Sequence, residues 1–282
     1  MAGAATERGG HLSARRRNQP GSESVTHGRP EPPMNGIWHV LLLALVPIAT
    51  TIVGAAGAAL RPPSARLRSS IQHFAAGVVF SVVAVELLPD VVRTRTPIEV
   101  VVGFTLGIAL MLLIRRFTAG AEGEAVVTPE GIARATTGTA PRGMLVAVGI
   151  DIALDGLLLG IAFAAGAKEG ALLTLALSLE LLSLGLAIAS SLLQRGVSRA
   201  RAVGIPTALA SLLAVGALVG DTLLHNASAP LLAGVLSFGC AALLFLVTEE
   251  LLVEAHEVPE TPATTAMFFA GFLLLLVLGM LG

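Results

Sequence analysis

Charge is what this sequence has least of: only 13% of its 282 residues are Asp, Glu, Lys or Arg, about half the ~25% usual in soluble domains. There is no tyrosine, one tryptophan and one cysteine, Cys240. A lone cysteine excludes an intrachain disulfide, and this one lies in an apolar run where packing is the ordinary role. Lys168 is the only lysine, against seventeen arginines, and the net charge is −1. No basic field for nucleic acid exists. No HExxH, Ser/His or Cys/His pattern and no ATP-binding motif occurs, so neither a zinc hydrolase, a nucleophilic enzyme nor an ATP-driven pump is indicated. Residues 1–36 lack the apolar segment of a signal peptide.

What remains is apolar. Hydrophobic residues make up 54% of the chain, and mean hydropathy is +0.83. Runs of about 20 apolar residues recur, each long enough to cross a hydrocarbon core as a helix. Such helices satisfy their own backbone in lipid, and the short alternating segments of a β-barrel are missing. The expected fold is an all-α integral membrane protein of eight transmembrane helices, near 38–60, 71–92, 98–114, 143–166, 170–193, 204–224, 231–256 and 263–281. The chain then divides into four segments: a disordered polar tail at 1–36, helices 1–3 within 37–114, a flexible Gly-, Thr- and Ala-rich loop at 115–142, and helices 4–8 within 143–282. The linkers on one side of that arrangement hold Arg61, Arg66, Arg68, Arg115, Arg116, Arg134, Arg142, Arg195, Arg199 and Arg201, while those on the other hold only Arg93, Arg95 and Lys168. The positive-inside rule places the first set in the cytoplasm and both termini outside it. The Arg-rich, Lys-poor composition suits a multi-pass protein of a bacterial inner or plasma membrane.

Acidic residues inside these spans are the informative ones. Span 2 carries Glu86 and Asp90, span 4 Asp151 and Asp155, span 5 Glu180, span 6 Asp221, and span 7 Glu249, Glu250 and Glu254, with His256 and Glu257 just beyond. An ionised carboxylate at the centre of a bilayer costs about 2.5–3.5 kcal/mol on insertion scales and calls for a polar partner, water or a cation. Spacings of four put Glu86 with Asp90, Asp151 with Asp155, and Glu250 with Glu254 on single helix faces. No lysine or arginine stands near the centre of a span, so protons or bound cations must balance the set. Ordered by depth, the acids form a column from Glu86 and Asp90, through Asp151, Asp155 and Glu180, to Glu250, Glu254 and His256. Against this stands the plain alternative that each acid is protonated and hydrogen-bonded between helices. His39, His73 and His225 fall at span ends, where an interfacial histidine needs no function. Gly156, Gly160 and Gly185 suit close helix packing.

Three segments resemble the ZIP family of metal transporters. Phe74-Ala-Ala-Gly77 followed by Glu86-Leu-Leu-Pro-Asp90 is similar to that family's second helix. Asp151-Ile-Ala-Leu-Asp155-Gly156 is similar to its fourth, and Glu249-Glu250-Leu-Leu-Val-Glu254-Ala-His256 to its seventh. The resemblance spans about residues 38–282. It implies a ZIP-like helix bundle, often a homodimer, that moves divalent metal ions (Zn²⁺, Mn²⁺ or Fe²⁺) inward as substrate, without an organic cofactor. Asp151, Asp155 and Glu180 would coordinate the ion at mid-membrane. Glu86 and Asp90 would guide entry, and Glu250, Glu254 and His256 exit. The departures carry chemistry. The family's fourth-helix histidine is Asp151 here, its neighbouring Asn or Ser is Ile152, and the proline before the acid is Leu154. Of the fifth-helix motif only Glu180 remains, and loop 115–142 has no histidine. One metal site is kept and its neighbour lost. The retained set is all oxygen, which suits harder ions than imidazole does, though zinc also accepts carboxylates. The rival expectation is a membrane sensor or structural protein that keeps the fold without transport.

Overall fold

A computed structural model describes residues 34–122, 142–224 and 227–281 of the chain. Tail residues 1–33 and positions 123–141 of the expected loop lie outside them. The described residues are helical and contain no strand. Eight helices are long and apolar enough to cross a membrane. We number them α1 (Met34–Leu60), α2 (Ala65–Arg93), α3 (Pro97–Glu122), α4 (Arg142–Ala165), α5 (Ala167–Gln194), α6 (Arg199–Leu224), α7 (Ala229–Ala255) and α8 (Pro262–Leu281).

Several boundaries differ from those expected, each for a local reason. Helix α2 begins six residues earlier than 71, because the Ser64 side chain caps it by accepting from Leu67 N–H at 3.2 Å. Arg66 and Arg68 are therefore helical, their charge tolerated at the first turns. Helix α3 runs on through Arg115 and Arg116 to Glu122, so residues 115–122 are helix, not loop. Helix α5 closes on Gly196 at φ 78°, with Gly196 N–H bonded to Leu193 O and Val197 N–H to Leu192 O. This left-handed glycine cap satisfies two of the last carbonyls.

The helices sort into an inner and an outer set. In their most apolar stretches α2, α4, α5 and α7 are 50–61% buried within the chain, whereas α1, α3, α6 and α8 are 17–33% buried. The outer four turn large apolar side chains outward, among them Trp38, Val53, Val101, Leu106, Val215 and Phe269. Such a surface is stable against lipid and untenable against water. Each outer helix packs on one inner partner: α1 on α5, α3 on α7, α6 on α4 and α8 on α2. Glycines set these approaches. A Cβ at Gly77 would stand 2.8 Å from the Phe268 carbonyl carbon of α8, and one at Gly156 would stand 2.8 Å from Leu213 Cα of α6. Gly185 faces Thr51 of α1 and Gly103 faces Gly234 of α7 in the same manner. Without an aqueous driving force, close backbone contact is what holds membrane helices together. Between the inner helices lies one apolar core that includes Val79, Val83, Leu159, Leu177, Leu181 and Leu243.

Two inner helices are not α-helical throughout. In α2 the segment Val82–Leu87 is π-helical, and in α7 Val247–Leu251 is. Each contains an expected site residue, Glu86 in the first and Glu250 in the second. A π turn holds one residue more than an α turn and so rotates the side chains beyond it by about 100° relative to an unbroken helix.

Candidate metal centre

All eight candidate site residues fall on the inner set: Glu86 and Asp90 on α2, Asp151 and Asp155 on α4, Glu180 on α5, Glu250 and Glu254 on α7, and His256 immediately after it. The outer helices contribute none. The most buried helices of the bundle are thus also the ones that carry these candidates, whereas Asp221 stands apart on the outer helix α6.

Asp151, Asp155 and Glu180 come together. One carboxylate oxygen from each lies within 4.8 Å of the other two. Asp151 and Asp155 meet because they are one turn apart on α4. Glu180 reaches them because α5 runs back antiparallel after the short break at Gly166 and packs along α4. Asp155 is 1% exposed and Glu180 4%, and Asp151 is half-buried. Asp155 Oδ2 and Glu180 Oε2 have no hydrogen-bond partner among the described residues. A buried carboxylate oxygen without a donor is costly, and two of them converge here.

Helix α7 completes the cluster. Glu250 lies within hydrogen-bonding reach of Asp151 and within electrostatic range of Asp155 and Glu180. The Glu254 carboxyl acts on Asp151, Glu180 and Glu250. Glu250 stands beside the three central acids and not among them, while its neighbour Glu249 points outward to pair with Arg115 of α3. Glu254, one turn on, accepts a hydrogen bond from Gln72 Nε2 of α2. Helices α4 and α5 therefore supply a group of three carboxylates, with Glu250 and Glu254 of α7 near enough to act on it electrostatically.

The remaining candidates are partnered elsewhere. Glu86 lies 3.4 Å from Lys168 Nζ, whose ammonium also donates to Gly279 O of α8 at 2.7 Å. No lysine or arginine is expected near the centre of a span, and Lys168 reaches Glu86 from a span end. Lys168 belongs to the first turn of α5, not to a linker, and its long stem carries the charge inward. Asp90 accepts from Arg93 at 3.0 Å, one turn along α2. His256 pairs with Glu260 and stacks edge-on against His73, ring centres 5.2 Å apart.

Sequence reasoning passed over Gln72, His73 and Glu260. The signal was present: Ser69, Gln72 and His73 follow an i, i+3, i+4 pattern that Ala76 continues at i+7, a polar stripe entering an apolar helix. All four are buried.

Neither a protein-family model nor a curated protein matches the sequence. The described residues form a helical protein with eight helices long and apolar enough to span a membrane and a carboxylate cluster among the inner four.

Proposed function

We propose that this chain is a ZIP-like transporter of divalent metal cations, with the ion held as substrate by Asp151, Asp155 and Glu180 and flanked by Glu250. One observation carries this reading: Asp155 and Glu180 are buried, each with a carboxylate oxygen that has no donor among the described residues, and each brings an oxygen within 4.8 Å of the other and of Asp151. Acids so placed in a bilayer call for a proton, a polar partner or a cation, and oxygen donors in this number suit Mn²⁺, Fe²⁺ or Zn²⁺. The order of the Asp151, Glu180 and Glu249–His256 segments along the chain adds the resemblance to the ZIP family. In this reading Glu86 and Asp90 line the opposite approach, toward the outside, and the end bearing His256 faces the cytoplasm, as the arginine asymmetry between linkers predicts. Nothing calls for an organic cofactor, since the chemistry is coordination and release.

The test is uptake into sealed vesicles holding the purified full-length chain, with Zn²⁺, Mn²⁺, Fe²⁺ and Cd²⁺ supplied separately. Saturable uptake of at least one ion, abolished by Asp155→Asn, supports the reading. Vesicles no more permeable than empty ones overturn it and leave the sensor or structural role of the same fold.

A further inference from the structure

We propose a second metal site, distinct from the carboxylate cluster, in which His73, His256 and Glu260 bind one transition-metal ion such as Zn²⁺ or Co²⁺ at the end of the bundle where α2 begins and α7 ends.

His73 is far in sequence from His256 and Glu260, yet one ligand-capable atom of each lies within 4.8 Å of the other two. His73 is the decisive member. It is 3% exposed. Its Nδ1 donates to Ser69 O at 2.9 Å, which fixes the tautomer and leaves the lone pair on Nε2. That Nε2 is buried and has no hydrogen-bond partner among the described residues. A histidine whose Nδ1–H is held by a backbone carbonyl while Nε2 stays bare is oriented as a metal ligand. As a packing residue it would forfeit a hydrogen bond at a buried nitrogen.

The partners are placed to close on it. His256 comes directly after the last turn of α7 and faces the His73 ring edge-on. Glu260, four residues further, already meets the His256 Nε2 atom. Ligand atoms bound to one tetrahedral zinc lie about 3.4 Å apart, given bonds of about 2.1 Å. His256 and Glu260 are about half-exposed, so their side chains are free to make the remaining approach. The scaffold beneath is tied: Ser69 Oγ donates to Ala255 O at 2.7 Å, Gln72 to Glu254, and Arg68 pairs with Glu257 at 3.2 Å. These contacts fasten α2 to the end of α7 on either side of the histidines, so His73 and His256 hold their spacing.

The donor set names the class of ion. Two imidazoles and one carboxylate favour zinc, cobalt, iron or nickel over Mn²⁺, Mg²⁺ or Ca²⁺. The exposed side leaves room for water as a further ligand, so the ion can exchange. The two sites should therefore differ in preference, all-oxygen at the centre and nitrogen-rich at the end. The inference rests on this geometry and does not require that the chain transport anything.

The experiment uses the full-length chain in detergent with Asp155→Asn and Glu180→Gln introduced to silence the carboxylate cluster. Equilibrium dialysis against Co²⁺ and Zn²⁺ should show one ion retained per chain, with cobalt's visible absorption reporting nitrogen ligands. Adding His256→Ala or Glu260→Ala, both at exposed positions that leave the fold intact, should weaken retention by about tenfold or more. In the otherwise unaltered chain the same His256→Ala change should lower bound Co²⁺ by one equivalent, which keeps the test open if the silenced chain folds poorly. Retained ion indifferent to His256→Ala and to Glu260→Ala overturns the proposal, as does the absence of Co²⁺ and Zn²⁺ binding in the silenced chain. Full Co²⁺ binding at this end in a chain that shows no uptake would sink the transport reading and leave this site standing.

Discussion

Lys168 Nζ lies 3.4 Å from the Glu86 carboxylate. The chain's single lysine thus neutralises an acid of α2 from the first turn of α5 and, through Gly279 O, also holds the end of α8. Glu86 is only 10% exposed in its side chain, Lys168 41%, so the pair is partly screened by its surroundings and belongs between a surface and a buried ion pair. Removing Lys168 should cost stability chiefly by leaving Glu86 uncompensated. In detergent, Lys168→Met should lower the melting temperature, and Glu86→Gln added to it should restore part of the loss. A double-mutant cycle should give a coupling of about 0.5–1 kcal/mol. Strictly additive effects would mean that the two groups do not feel each other.

The four helix pairs make a steric prediction. A Cβ at Gly77 would fall 3.0 Å from Phe272 N and closer to the Phe268 carbonyl, and both are backbone that cannot swing aside. Gly77→Ala should force α8 away from α2 and destabilise by about 1–3 kcal/mol. Gly204, in α6, has nothing within 4 Å of the corresponding position. There the added methyl only reduces backbone freedom in the unfolded chain, and Gly204→Ala should be neutral or stabilising by up to about 1 kcal/mol. Thermal unfolding of the two variants side by side decides it. Equal melting temperatures would show that the inner–outer contacts do not depend on glycine.

Orientation rests on arginine alone. Ten arginines in the linkers and helix ends of one side against three basic residues in those of the other predict that both termini face away from the cytoplasm. Reporter fusions after Gly282 and within 123–141 should read opposite sides of the membrane. Both on the same side would contradict eight crossings with the loop between α3 and α4.

Much of the architecture was legible because it depends on length and hydropathy: a run of 20 apolar residues leaves a helix no other place. Asp151 and Asp155 were legible together because a spacing of four fixes a shared face. What escaped was set by contacts between distant residues or by local departures from α geometry. Lys168 and Glu86 are 82 positions apart, and no pattern along the chain joins them. The π turns at Val82–Leu87 and Val247–Leu251 leave no mark in composition, yet they hold Glu86, Glu249 and Glu250. His73 was missed because the start of α2 was placed at 71. With the helix beginning at Ala65, the same histidine moves from a span end into the interior.

The central cluster yields the sharpest test. Asp151, Asp155 and Glu180 converge within 4.8 Å with Glu250 in reach of Asp151, so a cation bound there faces four carboxylates and no imidazole. Ligation requires deprotonated oxygens, and protons compete with the ion. Binding should therefore release protons and weaken as pH falls, with the sign set by mass action. Asp155→Asn removes a charged donor and should raise the Kd for Mn²⁺ by about tenfold or more, equivalent to about 1.4 kcal/mol. Glu250→Gln should also weaken binding, by less, because Glu250 stands beside the three and not among them. A Glu250→Gln chain that binds Mn²⁺ like the parent would return that residue to the path alone. Asp151→His introduces one imidazole at the half-buried member of the set and should shift preference from Mn²⁺ toward Zn²⁺. Competitive binding of Mn²⁺ and Zn²⁺ to the parent, Asp151→His, Asp155→Asn and Glu250→Gln chains at two pH values measures all of this at once. Affinity that ignores pH and every one of these substitutions would place the ion outside the cluster.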